Sequence, residues 1–494
     1  MNEKTRAVLD TFTELNTVPR QSKHEEQIRA WIAARAEAHG FAHRVDDAGN
    51  IIVSVPASAG MESAPTIVLQ GHMDMVCEKR PEVEHDFSRD PIRHVTDGDW
   101  LRADGTTLGA DNGIAVALAL RLAEDPDVAH PKLELLFTVD EETGLTGALE
   151  LPENSLEGRM LVNLDSEEDD TLIVGCAGGR NTTVRLPVSR EDPGDGALLE
   201  VRIGGLSGGH SGMDIGRNLG NANRLLARAL SAARDIAPVR ILTLSGGNAH
   251  NAIPRDAVAT VSVPPEAEAK VRERLGELGV VFAAEQRRED PNLSLSVDAA
   301  APGTAAPGTA VPGTAAAPAA GAVAPADSGR IIDLLLALPH GVFRMSDDID
   351  GLVETSANVA TVSLEKDELS VLVSLRSSVP SQLDAESEVI AAAVRLAGGT
   401  VSFGSEYPSW TPNMDSALLA RARQVFTEVV GEEPNVAAIH AGLEAGVIGA
   451  KHAGMDMVSL GPTIEGAHTP EERLRIPSVE RVWTVMVALL GSLT

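Results

Sequence analysis

Residues 66–76 read TIVLQGHMDMV. An apolar run of strand length stops at Gly71 and is followed at once by His72 and, two positions on, by Asp74. Side chains two apart on a strand share a face, so His72 and Asp74 point the same way at the strand end. A metal-binding imidazole usually has a carboxylate or carbonyl on its other ring nitrogen, and Asp74 is placed to be that partner. Gly-His-x-Asp is a weak motif by itself, and the flanking segments decide its meaning.

Further short apolar runs occur at 50–55 (NIIVSV), 133–139 (LELLFTV), 160–164 (MLVNL) and 171–175 (TLIVG). They alternate with helical periodicity at 4–16, 24–38 and 113–123. Apolar strands alternating with helices imply an α/β fold with a mostly parallel sheet and helices on both faces. Ligands in such folds collect at the carboxyl ends of the strands. From about 181 the pattern changes: strands at 198–206, 256–263, 356–364 and 368–376, with helices at 221–235 and 380–397, read as a separate α+β domain. The alternating pattern returns near 403 and ends in a helix at 478–493. The expected organisation is a discontinuous first domain, 1–180 and 403–494, which the motifs below make the catalytic one, with residues 181–402 inserted. Within the insertion, residues 299–326 contain 14 Ala, 5 Pro, 4 Gly, 3 Thr and 2 Val. With no large apolar side chain to offset ordering entropy, they read as a flexible loop.

The 494-residue chain carries 41 Lys+Arg against 72 Asp+Glu, a net charge of −31. That balance disfavours a nucleic-acid partner and an anionic membrane surface; its plain consequence is solubility. No apolar run reaches the roughly 18 residues of a spanning helix. The first twenty residues are charged and amphipathic, without the apolar core of a signal peptide, so the expected location is the cytoplasm. Two cysteines, Cys77 and Cys176, supply neither a disulfide framework nor a Cys-type zinc site.

Four more segments place acids or histidine beside apolar runs: TTLGADNG (106–113), VDEETG (139–144), NLDSEE (163–168) and IEGAHTP (464–470). Each has a plain reading. Asp111 or Asn112 would cap the following helix, and residues 140–142 would form a solvated turn. Together with GHMDMV, however, they put histidine and carboxylate donors on strand ends that converge on one side of a sheet. Such a donor set without cysteine suits a hydrolytic pair of zinc, manganese or cobalt ions.

GHMDMV, TTLGADNGIAVA, DEETGLTGA, NLDSEE, GGHSGMDIGRNLGNAN and IHAGLEAG…DMVSLGPTIEGAHTPEER resemble, in that order, the co-catalytic zinc aminopeptidase-like metallopeptidases, most closely their aminoacyl-histidine dipeptidase group. The resemblance covers nearly the whole chain outside 299–326. It implies that His72 and Asp165 serve one metal, Glu142 and His468 the other, and that Asp111 bridges them. It further implies that Asp74 orients His72, that Glu141 is the general base, and that the Asp111–Asn112 peptide is cis. The inserted domain resembles the family's lid and dimerisation domain. There His210 would stabilise the oxyanion, and Asn251 and Arg376 would bind substrate, although a structural salt bridge suits Arg376 nearly as well. His440 would line the pocket.

The implied activity is hydrolysis of unspecialised dipeptides, Xaa-His types such as carnosine included, by a metal-bridging hydroxide. The cofactors would be two divalent ions, zinc first, with manganese or cobalt as alternatives. The partner would be a small peptide; a homodimer through the lid and a monomer with an enlarged lid both stay open. Two rival readings remain: an N-acyl amino acid deacylase or tripeptidase on the same metals, and a catalytically silent ligand-binding protein. Cys77 and Cys176 read as small packed residues, and His85, His94, His130, His250, His340 and His452 as surface or turn residues.

Overall fold

The computed structural model describes residues 1–300 and 321–493. Packing divides them into two compact units: 1–176, 410–438 and 443–493 form the first, 177–300, 321–409 and 439–442 the second.

The first unit is built on an eight-stranded sheet. Its order is Ala42–Val45, Ile51–Val55, Leu133–Thr138, Ile67–His72, Met160–Asn163, Asp456–Ser459, Thr171–Cys176, Asn435–Ile439. Ile67–His72 runs parallel to both neighbours, and Met160–Asn163 runs parallel to Asp456–Ser459. Toward the edges the pairing turns antiparallel, so the sheet is mixed around a parallel centre. The run NIIVSV looked like one more parallel strand because it too is buried; burial, not direction, is what an apolar run reports. Ile67–His72 and Leu133–Thr138 are buried at every position. The helix Ala110–Glu124, buried from Asn112 to Leu120, packs on them. The parallel centre directs the chain after His72, Thr138, Asn163 and Ser459 to one end of the sheet.

The second unit carries a nine-stranded antiparallel sheet, together with the helices Ala222–Arg234, Glu268–Glu285, Pro325–Ala337 and Pro380–Ala397. One side of each helix and alternate strand positions meet in a common core of Leu199, Val201, Leu226, Leu230, Val261, Leu335, Val371 and their neighbours. The strand Thr400–Tyr407 pairs with Gly178–Pro187 in this sheet, although sequence placed residues from 403 with the catalytic domain. Of the tract 299–326, residues 301–320 lie outside the described residues. Its end is structured: Ala322–Val323 pairs with Arg190–Glu191, and Pro325 occupies the first turn of a helix, where its missing N–H costs nothing. Among the described residues, no helix is long and apolar enough to cross a membrane.

Candidate metal centre

His72 ends its strand with its side chain buried. Its Nδ1 lies 3.3 Å from Asp74 Oδ1 and 3.2 Å from the Asp74 carbonyl. Nε2 faces outward, 3.1 Å from Asp111 Oδ1 and 3.5 Å from Asp165 Oδ1. His468 presents its Nε2 to Asp111 Oδ2 and Glu142 Oε2, each at 3.0 Å. Asp111 thus gives one oxygen to each histidine. Donor atoms of His72, Asp111 and Asp165 lie within 4.8 Å of one another, as do those of Asp111, Glu142 and His468, and those of His72, Glu141 and Glu142.

Asp74 reaches beyond the imidazole. Its Oδ1 also accepts the Glu141 N–H at 3.1 Å, and its Oδ2 accepts the Glu142 N–H at 3.2 Å and the Ser22 hydroxyl at 2.8 Å. One fully buried carboxylate therefore ties the His72 strand end to the segment bearing Glu141 and Glu142. That segment is no solvated turn: Asp140 is buried, its N–H donates to Glu25, and its carboxylate accepts the hydroxyls of Thr143 and Thr146.

Asp111 and Asn112 are not helix caps. Both have non-helical backbone angles, and the peptide between them is cis. Asn112 accepts the His72 N–H and donates to the Leu164 carbonyl.

The electrostatics are those of a site built for positive charge. The two carboxylates facing His468 push its pKa up to about 11. Burial, with Asp111 and Asp165 nearby, pushes Glu167 up to about 8. Burial raises Glu141 well above the ordinary carboxylate range, and Glu142 Oε1 is buried without a partner. Divalent cations held by His72, Asp111 and Asp165 and by Asp111, Glu142 and His468 would offset this concentration of carboxylates. His, Asp and Glu at these separations fit a pair of hard or borderline cations.

In the second unit, the backbone of the Gly209–His210 strand pairs with Ala252–Ile253. His210, Arg376 and His440 surround Gly212: a Cβ there would meet the His440 carbonyl at 2.2 Å, His210 Cε1 at 3.1 Å and Arg376 Nε at 3.2 Å. Arg376 is 6% exposed; it donates to the Tyr407 hydroxyl at 2.7 Å, while its Nε is buried without a partner. His440 Nε2 lies 2.7 Å from Ser356 Oγ. Burial, with Arg376 and His210 adding repulsion, pulls His440 down to about 3. Asn251 is exposed, and its carbonyl accepts the Ser211 N–H at 2.8 Å.

Several histidines read as surface or turn residues are buried or partly so. His130 and His452 are buried, with Nδ1 on the carbonyls of Pro131 and Ile448, and His94 stacks on Phe12. An imidazole with a local carbonyl partner is satisfied inside a protein, which sequence patterning does not reveal. Cys176 is buried and Cys77 partly so. Sequence reasoning also passed over Glu472, Arg20 and Glu444. Glu444 is fully buried and accepts from Gln70 and Thr138, each at 2.6 Å. The signal available was a charged residue inside a segment already singled out.

Residues 68–492 match peptidase family M20/M25/M40. The cytosol non-specific dipeptidase of Escherichia coli K12 is 38% identical over 482 residues, 97% of this chain and 96% of that protein. The crystal structure of aminoacylhistidine dipeptidase from Vibrio alginolyticus superposes with a TM-score of 0.88 at 37% identity, covering 99% of this chain and 96% of that one. The aminopeptidase PepT of Bacillus cereus, 16% identical with a TM-score of 0.55 over 99% of this chain and 98% of that one, shares the fold.

Proposed function

The chain belongs to peptidase family M20/M25/M40 and is a metallopeptidase of the dipeptidase kind, and from that premise we propose that it hydrolyses unspecialised dipeptides, Xaa-His substrates included, with two divalent cations. The observation that carries this reading is Asp111, whose two oxygens face His72 at 3.1 Å and His468 at 3.0 Å. His72 and Asp165 would hold one ion, Glu142 and His468 the other, and Asp111 would join both. Zinc fits this donor set, and manganese or cobalt would also be accepted. When bound, such a pair polarises the scissile carbonyl and makes water a competent nucleophile near neutral pH.

The chain's own residues do the rest. Asp74 holds His72 in the tautomer whose Nε2 is free to bind. The same carboxylate fixes the backbone of Glu141, whose side chain takes the proton from the attacking water and returns it to the leaving amine. Its raised proton affinity suits that exchange. In the second unit, Arg376 has the fork geometry for a peptide carboxylate and a buried Nε to spare. His210 would stabilise the oxyanion, with Asn251 and His440 completing substrate recognition. We place the enzyme in the cytoplasm, in keeping with its acidic composition and with the E. coli relative's name.

The test is a hydrolysis panel of dipeptides, tripeptides and N-acyl amino acids on metal-quantified protein. Cleavage of free dipeptides supports the reading; cleavage of acyl amino acids with dipeptides untouched overturns it.

A further inference from the structure

The helix Ala110–Glu124 begins without a side-chain cap of its own. The amides of residues 108–111, which lead into it, are nevertheless met. Glu472, 2% exposed, accepts Leu108 N–H at 2.7 Å and Gly109 N–H at 2.9 Å on Oε2, and Ala110 N–H at 2.7 Å and Asp111 N–H at 3.2 Å on Oε1. One carboxylate from 361 or more positions away thus takes four consecutive backbone donors. Two carbonyls of the same stretch are held as well. Asn16 donates to the Leu108 carbonyl at 2.8 Å, and the fully buried Arg20 donates to the Gly109 carbonyl. Arg20 also reaches the Asp74 carbonyl at 3.0 Å and Asn16 Oδ1 at 3.0 Å. Gly109 has a φ of +67°, and a Cβ there would stand 2.2 Å from Arg20 Nη2, so only glycine fits.

We propose that Glu472 is a positioning residue that presets the backbone of residues 108–111, and with it Asp111, for two cations before either arrives. The proposal rests on the metal reading above and assigns it a residue that touches neither substrate nor cation. Asp111 sits where the backbone leaves helical geometry, at φ −78° and ψ 107°, so the helix itself does not fix its direction. Anchoring the flanking amides does. A carboxylate suits this place because unpaired N–H groups at a helix start favour negative charge and charge-assisted hydrogen bonds are the strong ones. Glu472 also closes a turn on the Thr469 carbonyl, at 3.1 Å. The short segment that carries His468 is therefore fastened directly to the segment that carries Asp111.

The replacement Glu472→Gln keeps the shape but puts an amide donor against two of the four N–H groups. The expected result is a folded protein whose zinc affinity, read by competition with a chelating dye, is about 10–100-fold weaker, and whose kcat falls with KM held within twofold. Glu471→Gln, at the exposed neighbour, should change neither. Wild-type zinc affinity and kcat in a folded Glu472→Gln protein would overturn the proposal. Amide hydrogen exchange in the metal-free wild-type protein decides the matter without a variant. Protection at 108–111 matching the helix core at 114–120 supports presetting; exchange as fast as in exposed loops, cured only by zinc, overturns it. A wild-type protein that takes up no zinc, with 108–111 still protected, would remove the metal reading and leave the backbone anchor standing.

Discussion

Asp74 Oδ1 accepts the backbone N–H of Glu141 at 3.1 Å while it faces His72 Nδ1 at 3.3 Å. The residue that orients a candidate ligand also sets the position of the candidate base. Asp74→Ala is therefore expected to damage two properties together. Metal affinity should fall about 10–100-fold, the usual cost of losing a partner of a metal-binding histidine. The kcat of fully metal-loaded protein should fall as well. Dye competition and steady-state kinetics at saturating metal read the two effects separately. Loss of affinity with normal kcat would show that Asp74 does not place Glu141.

Glu141→Ala should leave metal content unchanged and lower kcat by about 10²–10⁴, the range for general acid–base catalysis. Near-normal turnover in a metal-replete variant would show that another group moves the proton.

His468→Ala has the opposite signature. Its Nε2 is shared between Asp111 and Glu142, and its removal should lower bound metal toward one ion per chain. Metal analysis after gel filtration measures this; two ions retained at wild-type affinity would remove His468 from the ligand set.

The second unit should be acid-labile through His440. Its folded-state pKa is lowered to about 3 by burial and by neighbouring Arg376 and His210. The unfolded chain therefore binds this proton first. Stability from the neutral ring is complete above about pH 6.5 and is lost as pH falls toward 3. Between pH 7.5 and 5 the loss is about 2 kcal/mol for this group. Urea unfolding of chelator-treated protein at both pH values should show wild type losing about that much more than His440→Asn. Equal losses would contradict the assignment.

The candidate centre was legible in the sequence because its donors follow apolar runs. His72, Glu141, Glu142 and Asp165 sit at or just beyond the ends of strands, and parallel strands bring such ends together; Asp111 opens a helix, and His468 lies in the segment after Asp456–Ser459. The resemblance of the motifs then gave each donor its expected role. What lay hidden is the set of groups that hold those donors. Glu472 and Arg20 bind backbone atoms, and backbone atoms carry no residue identity for a pattern to match. The antiparallel placement of Ile51–Val55 was hidden for a related reason: a buried strand looks the same in either direction. Likewise, nothing in the composition of 321–326 announced the Ala322–Val323 pairing with Arg190–Glu191, since that strand is made by its partner.

The central claim is that Asp111 joins two cation positions. It is tested most directly by titrating chelator-stripped protein with zinc in a calorimeter while following dipeptide hydrolysis. The account predicts two equivalents bound per chain, with activity returning as they bind, and one equivalent at most retained by Asp111→Ala. A single equivalent in the wild-type protein with full activity, or two equivalents undiminished in Asp111→Ala, would contradict it.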